Sequence, residues 1–182
     1  MWDNTNINLS FQPSCADEQR LTYSQYYAGN CAKAGVFMQL CGWMGVESLW
    51  VGATSNSHYL KHTKTFEKQQ RFAKEDKVDG KEIPFSVMLD KGYHVNLPAF
   101  RADKQQVMQP TFAKSDKKFT GQETIYSASI ASHRGANERG VNRSKLCGYL
   151  RRGLHPNGNP SLLDDVWLSW WFTVNFLYKS VL

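Results

Sequence analysis

The chain has 182 residues, the size of one average domain, and hydrophobic residues make up 41% of it. Charged residues account for 21%, so the composition excludes a disordered tail and a low-complexity polymer. The 22 Lys and Arg exceed the 16 Asp and Glu, and the resulting net charge of +6 favours anionic partners, among them nucleic acid.

The first third of the chain contains three predicted strands. Asn4–Phe11 alternates polar and apolar residues, which predicts a half-buried strand. Two further strands are predicted at Ala34–Leu40 and Ser48–Thr54, joined through Gly42–Gly45. Three consecutive strands with short connections predict a meander.

The period changes after the third strand. Apolar residues recur near helical spacing from about Ser57 to Glu75 and predict a helix there. Asp79-Gly80 signals a turn, and the nearly continuous apolar run Ile83–Leu89 predicts a strand that is buried on both faces. This strand ends at Asp90.

The second half of the chain is mostly helical in pattern. A short strand at Gln106–Gln109 precedes a long predicted helix from Gly121 to about Arg152, which Gly153 ends. Val166–Tyr178 predicts a buried helix, since it is shorter than the ~20 residues that a bilayer span needs. The elements together predict a mixed α/β arrangement in a single domain over the whole chain.

Three acids stand out by position. Asp3 lies on the first predicted strand, and Asp90 directly follows the buried strand, where open α/β sheets place ligands. Glu138 lies inside the long helix, with Arg134 one turn before it and Lys145 two turns after it. Taken singly, an Asp after a strand is a common turn residue, and a Glu beside an Arg on a helix is usually part of a solvated ion pair.

The sequence around the three acids resembles one known family. The segments are Trp2–Ile7 (WDNTNI), Phe85–Gly92 (FSVMLDKG) and Ala131–Lys145 (ASHRGANERGVNRSK). In this order they resemble the DDE endonuclease domain of PIF/Harbinger-type transposases, with its D-x-T-x-I strand, its D-[RK]-G after a later strand, and its R-x-x-x-E-R segment followed by a lysine. The resemblance extends to Tyr26–Phe37 and to the Gly-x-x-Ser motif at Gly52, and it covers essentially the whole chain.

The resemblance implies an RNase H-like mixed sheet flanked by helices, in which the Ile83–Leu89 strand lies beside the first strand. It also implies that Asp3, Asp90 and Glu138 are catalytic acids that hold a divalent metal, Mg²⁺ or Mn²⁺. Two such ions about 3.5 to 4 Å apart activate a water or a 3′-hydroxyl and stabilise the leaving oxygen when a phosphodiester is cleaved. The implied activity is the cleavage and transfer of DNA phosphodiesters by a transposase-derived endonuclease.

Basic residues accompany the third acid along the chain. One interpretation is a solvated helix face, and the other is a surface that neutralises DNA phosphates without base specificity. The residues assigned to the DNA backbone are Lys33, Lys91, Arg134, Arg139, Arg143, Lys145 and Arg151.

The resemblance departs from the family at the start of the chain. Family members carry the rest of the first strand and a helical DNA-binding region before the first acid, so a truncated first strand and a separate DNA-binding protein are expected. The alternative function is a domesticated remnant that binds DNA or protein without catalysis. The ancestry predicts a nuclear location in a eukaryotic cell and no membrane contact.

Two other sets of residues each have a functional and a structural interpretation. His58 and His62 have a spacing that suits zinc, but no third ligand is indicated, so exposed helix histidines are the preferred interpretation. Cys31 and Cys41 receive no function. The four cysteines form no C-x-x-C pair and no secretory signal is visible, which predicts free thiols in an intracellular, reducing compartment.

Overall fold

The computed structural model describes residues 1–10, 13–39, 42–65, 77–78, 81–82, 86–102, 106–112, 118–152 and 160–177. The chain forms two compact units. The first unit is Met1–Trp2 with Asn56–Gly135, and the second unit is Asp3–Ser55 with Ala136–Leu182. The prediction of a single domain stays a prediction.

The described residues form nine strands and six α-helices, which confirms the predicted mixed α/β class. In chain order the elements are β1 (Trp2–Asn8), α1 (Ala16–Thr22), β2 (Tyr23–Ser24), β3 (Gly29–Met38), β4 (Met44–Val46), β5 (Trp50–Val51), α2 (Asn56–His62), β6 (Lys77–Val78), β7 (Lys81–Glu82), β8 (Ser86–Met88), a 3₁₀ helix (Lys91–Asn96), α3 (Leu97–Ala102), β9 (Gln106–Met108), α4 (Gly121–Ser144), α5 (Gly148–Arg152) and α6 (Pro160–Leu177).

Strand β3 is the centre of a five-stranded sheet in the second unit. It is hydrogen-bonded to β1, while β2, β5 and β4 pair antiparallel with successive sections of it. The register places Ala32 opposite Val51 and Val36 opposite Val46. The predicted pairing of three consecutive strands is therefore confirmed by β1, β3 and β5, although β5 covers only Trp50–Val51 of the predicted Ser48–Thr54 strand. Strand β4 lies where the connection Gly42–Gly45 is predicted.

Helix α6 supplies much of the core of the second unit. Its buried face carries Leu163, Trp167, Trp171 and Val174, which follow helical spacing and join the cluster that includes Val36 of β3. The helix begins at a proline, which is well tolerated in the first turn because an N–H there would have no partner within the helix. In the part of the chain that the structure describes, no helix is long and apolar enough to cross a membrane.

The opposite face of α6 corrects the prediction of a fully buried helix. Leu168, Phe172 and Phe176 are exposed, the last two at 65% and 66%. The Phe176 ring packs edge-on against Trp43, with ring centroids 5.9 Å apart. Helix α6 therefore has one buried face and one exposed face, although both faces carry apolar residues.

The long predicted helix starts as expected at Gly121. Thr120 and Glu123 cap it reciprocally: the Glu123 backbone N–H donates to Thr120 Oγ1 (3.2 Å), and the Thr120 N–H donates to Glu123 Oε2 (2.8 Å). This pair is a capping box, which satisfies N–H groups that the first helical turn leaves without partners.

The same helix does not continue to Arg152, and the prediction of one helix is wrong. Residues 145–147 separate α4 from α5, and the carbonyl of Cys147 accepts the first bond of the new helix from the Arg151 N–H (2.9 Å). In a continuous helix Leu146 and Leu150 would lie on one face. The break allows Leu150 to be 2% exposed in the core while Leu146 remains 60% exposed.

A parallel strand pair organises the first unit. Strands β8 and β9 pair in parallel with Val87 opposite Val107, which confirms the strand predicted at Gln106–Gln109. Trp2 and Leu89 form a parallel bridge, so the start of β1 lies beside the end of the β8 segment, as the resemblance predicts. Both bridged residues are buried, at 1% and 0% exposed.

Several predictions fall partly or wholly outside the described residues. These are the predicted helix beyond residue 65, the turn at residues 79–80, the first half of the predicted strand at residues 83–85, the basic stretch at residues 113–117, and the loop at residues 153–159.

Candidate active site

Asp90 lies at the carboxyl end of the parallel pair, held through its main chain. The Leu89 N–H donates to the Met108 carbonyl (3.0 Å), which extends the ladder up to Asp90. The Asp90 carbonyl accepts bonds from the Tyr93 N–H (3.1 Å) and from Gln109 Nε2 (2.9 Å). These bonds fix the backbone at Leu89 and Asp90, so the Cα position of Asp90 at the strand end is well defined.

The Asp90 carboxylate forms an ion pair with Arg134 of α4. Arg134 Nη1 lies 3.2 Å from Asp90 Oδ1, and the two side chains are 30% and 31% exposed. Water reaches both groups, so the pair is worth less than a fully buried one. The sequence predicts a contact between Arg134 and DNA phosphates, and the structure gives its guanidinium a carboxylate partner.

Asp3 directly follows Trp2, as Asp90 directly follows Leu89. Trp2 and Leu89 form a parallel bridge, so the two segments run in the same direction there. Each acid is the next residue of its segment after the bridge. Asp3 is half-buried, and its Oδ1 accepts a bond from the Asn4 N–H (2.8 Å).

Glu138 lies on the part of α4 that belongs to the second unit, and it is exposed. Among the residues that the structure describes, no three His, Cys, Asp or Glu side chains form a group that could hold a metal ion. Asp3, Asp90 and Glu138 are all described, and the convergence of the three acids that the resemblance implies stays a prediction.

The basic residues after Glu138 differ in their access to a ligand. Arg139 and Arg151 are exposed, whereas Arg143 and Lys145 are half-buried. Burial lowers the pKa of Lys145 below its ordinary value. The two exposed arginines are therefore the members of the set that solvent and a large polyanion reach most directly.

Lys33 occupies a different environment. It is buried on β3, and its Nζ donates to the Thr54 carbonyl. Burial lowers the pKa of Lys33, and the nearby Cys31 thiol offsets part of this effect. The side chain of Lys91 lies outside the described part of the chain.

Comparison with known proteins identifies the family. The family described as DDE superfamily endonuclease matches residues 2–166, a range that includes Asp3, Asp90 and Glu138. The chain belongs to this family. DDE superfamily endonuclease membership indicates transposase-like nuclease ancestry and implies DNA as the substrate. No curated protein and no solved structure matches the chain significantly.

DDE nucleases typically use divalent metals. The carboxylates of the three acids are oxygen donors of the type that a hard cation prefers. Carboxylate and amide oxygens are the ligands that Mg²⁺ takes from proteins. Among the described residues, the buried amide atoms of Asn4 and Asn137 have no hydrogen-bond partner, and these residues adjoin Asp3 and Glu138. Buried polar atoms without partners often mark the place of a water or an ion.

The sequence predicts no role for Tyr26 and Tyr27, whose rings form a pair with centroids 4.9 Å apart. Burial, followed by smaller electrostatic effects of neighbouring groups, raises the pKa of Tyr27. Two adjacent aromatic residues just before Gly29 were the available signal, because connecting segments run over the surface and leave their side chains exposed.

Proposed function

We propose that the chain is a PIF/Harbinger-type, transposase-derived endonuclease core with an RNase H-like fold, which cleaves and transfers DNA phosphodiesters. The observation that carries this proposal is the parallel bridge between Trp2 and Leu89 in a member of the DDE superfamily endonuclease family. The bridge immediately precedes Asp3 and Asp90. Acids on neighbouring strands are the arrangement that a metal-dependent nuclease of this ancestry needs.

In this proposal Asp3, Asp90 and Glu138 supply the carboxylate oxygens for Mg²⁺ or Mn²⁺. The metal, when bound, activates the attacking oxygen and stabilises the leaving oxygen. Asp90 contributes a carboxylate whose backbone is fixed by Gln109 and Tyr93. The Arg134 guanidinium orients that carboxylate and balances its charge in the absence of the metal.

DNA binding is proposed to depend on the two exposed arginines and on further basic residues of the predicted set. Arg139 and Arg151 are the primary phosphate contacts, with Arg143, Lys145 and Lys91 as further candidates. These contacts carry no base specificity, so a separate DNA-binding protein is proposed to supply the target site in the nucleus. Lys33 is not part of this surface, because its ammonium binds the Thr54 carbonyl.

The proposed function is tested by the nicking of supercoiled plasmid. Wild-type protein is expected to convert the plasmid to the open-circular form with Mg²⁺ or Mn²⁺, and EDTA is expected to stop this conversion, because the carboxylates alone do not activate the attacking oxygen. Gel electrophoresis gives the nicked fraction. Tight DNA binding without nicking under either metal would favour the non-catalytic remnant instead.

Replacing Arg151 by Ala is expected to weaken binding to all DNA sequences alike. Each phosphate contact contributes about 0.9 to the slope of log affinity against log salt, so the slope should fall by up to about one unit. Fluorescence anisotropy at several salt concentrations gives the slope. Arg20→Ala is the matched control, since Arg20 is an exposed arginine of α1 in the same unit. An equal loss in both variants would contradict a specific role for Arg151.

A further inference from the structure

Two histidines lie side by side on the exposed face of helix α2. His58 and His62 are four residues apart on this helix, and both are exposed, as the sequence predicts. Tyr59 and Leu60, which lie between them in the chain, are buried, and they fix the face that α2 turns toward the core. Because residues four apart share one face of a helix, both imidazoles are presented to solvent in the same direction.

The two imidazole rings are close enough to share one ion. Their centroids are 4.2 Å apart and their planes are inclined by 46°. An ion about 2.0 Å from one nitrogen of each ring lies about 3.2 Å from each centroid, so rings at this separation subtend an angle of about 80° at the ion. Square-planar and octahedral ions take neighbouring ligands about 90° apart, whereas tetrahedral zinc takes them about 109° apart. The separation of the rings therefore favours Cu²⁺ or Ni²⁺ over Zn²⁺.

The backbone that carries the two histidines is held by neighbouring groups. Asn96 Nδ2 donates to the Ser57 carbonyl (3.3 Å), and the Thr63 N–H donates to the Tyr59 carbonyl (3.0 Å) at the end of the helix. Helix α2 packs against the 3₁₀ helix that follows Asp90, and both helices belong to the first unit. A helix of seven residues is not stable by itself in water, so these contacts maintain the spacing of the two imidazoles.

We propose that His58 and His62 form a bidentate site for a divalent transition-metal ion, which binds Cu²⁺ most tightly and Ni²⁺ next. Among the described residues no third His, Cys, Asp or Glu joins the pair, so water completes the coordination. Imidazole nitrogen suits these ions, whereas the three acids offer the hard oxygen donors that suit Mg²⁺. The histidine site is therefore separate in its chemistry from the proposed Mg²⁺ site and does not depend on the endonuclease function. A bound ion bridges two turns of α2 and stabilises this helix.

The test is isothermal titration calorimetry of the full chain with Ni²⁺, which does not oxidise thiols. Excess Mg²⁺ in the buffer occupies the carboxylates. Wild type is expected to bind Ni²⁺ about 10²- to 10⁴-fold more tightly than His58→Ala or His62→Ala, because the second imidazole binds in an intramolecular step. Zn²⁺ should bind wild type more weakly than Ni²⁺ does. Tighter binding of Zn²⁺ would overturn the choice of ion.

Two control variants separate the chelate from binding by single exposed imidazoles. His133→Ala removes a histidine of α4 that is also exposed and whose Nδ1 lies 2.8 Å from the Ser129 carbonyl oxygen, and it should keep the wild-type affinity. His58→Ala/Lys61→His keeps the number of histidines but places two of them on adjacent residues, which do not face each other. Its affinity should fall as far as that of His58→Ala.

Stability provides a second measurement. Ni²⁺ should raise the urea midpoint of wild type, because the ion binds the folded helix more tightly than the unfolded chain, and it should leave the midpoint of His58→Ala unchanged. Circular dichroism gives the midpoint and shows that each variant is folded. An unchanged Ni²⁺ affinity in His58→Ala, or an equal loss in His133→Ala, would overturn the site. Histidine-dependent Ni²⁺ binding in a chain that never nicks plasmid would support the site and reject only the endonuclease.

Discussion

Replacing Asp90 by Asn is expected to abolish metal-dependent nicking while leaving DNA affinity unchanged or slightly raised. The substitution keeps the shape of the side chain and removes the charge that a divalent cation requires. Stabilisation of transition-state charge by a metal is worth several kcal/mol, so the nicking rate should fall at least about a hundredfold. Affinity should not fall, since a group that repels phosphate is lost.

Asp17→Asn is the control for charge in this experiment. Asp17 is 87% exposed on α1, where its only described salt bridge is a 3.9 Å contact with Arg20, so this variant makes the same change in net charge. Nicking by Asp17→Asn should equal that of wild type.

The ion pair adds a second control for Asp90→Asn. The Asn variant leaves Arg134 without its carboxylate, which alone is expected to lower stability. Arg134→Gln separates the two effects, because it breaks the pair and keeps Asp90. If Arg134→Gln remains active while Asp90→Asn does not, the carboxylate itself is required. Nicking at the wild-type rate by Asp90→Asn would remove Asp90 from the catalytic set.

The position of Asp90 at the end of a strand could be predicted because the neighbouring residues in the sequence determine it. A continuous apolar run predicts a buried strand, and the first charged residue after it marks the end of that strand. The bridge between Trp2 and Leu89 was predictable only through the family resemblance, since pairing of strands that are distant in the chain leaves no local pattern. The sequence order of the motifs carried that information.

The side-chain environments around the acids could not be predicted in the same way. Lys33 is buried because β5 pairs with β3 and the Thr54 carbonyl that follows β5 receives its ammonium, and both facts depend on tertiary structure. The break between α4 and α5 depends likewise on Leu150 reaching the core, although the residues around it have an ordinary helical pattern. Propensity favours a continuous helix there, and packing overrides it.

Helix α6 contributes core residues to the second unit that lie beyond the part of the chain that matches the family. The match ends at residue 166, just before Trp167, which is 0% exposed. The Trp167 ring meets Trp171 edge to face at 5.5 Å, and its Nε1 donates to the Glu47 carbonyl (3.1 Å). Asn175 adds two bonds to the backbone of Met44 on β4. The core of this unit therefore depends on the section of α6 after residue 166, which lies beyond the family match.

Trp167→Ala is accordingly expected to lower the free energy of unfolding by about 3 to 5 kcal/mol, because it leaves a large cavity and removes the hydrogen bond to the Glu47 carbonyl. That loss is a large part of the 5 to 15 kcal/mol typical of a domain, so the variant should unfold at a much lower urea concentration, followed by circular dichroism. Trp167→Phe should lose less, since it keeps most of the volume. Phe172→Ala, on the exposed face of the same helix, should change the free energy by no more than about 0.5 kcal/mol. Similar urea midpoints for Trp167→Ala and Phe172→Ala would contradict the packing of α6 against the sheet.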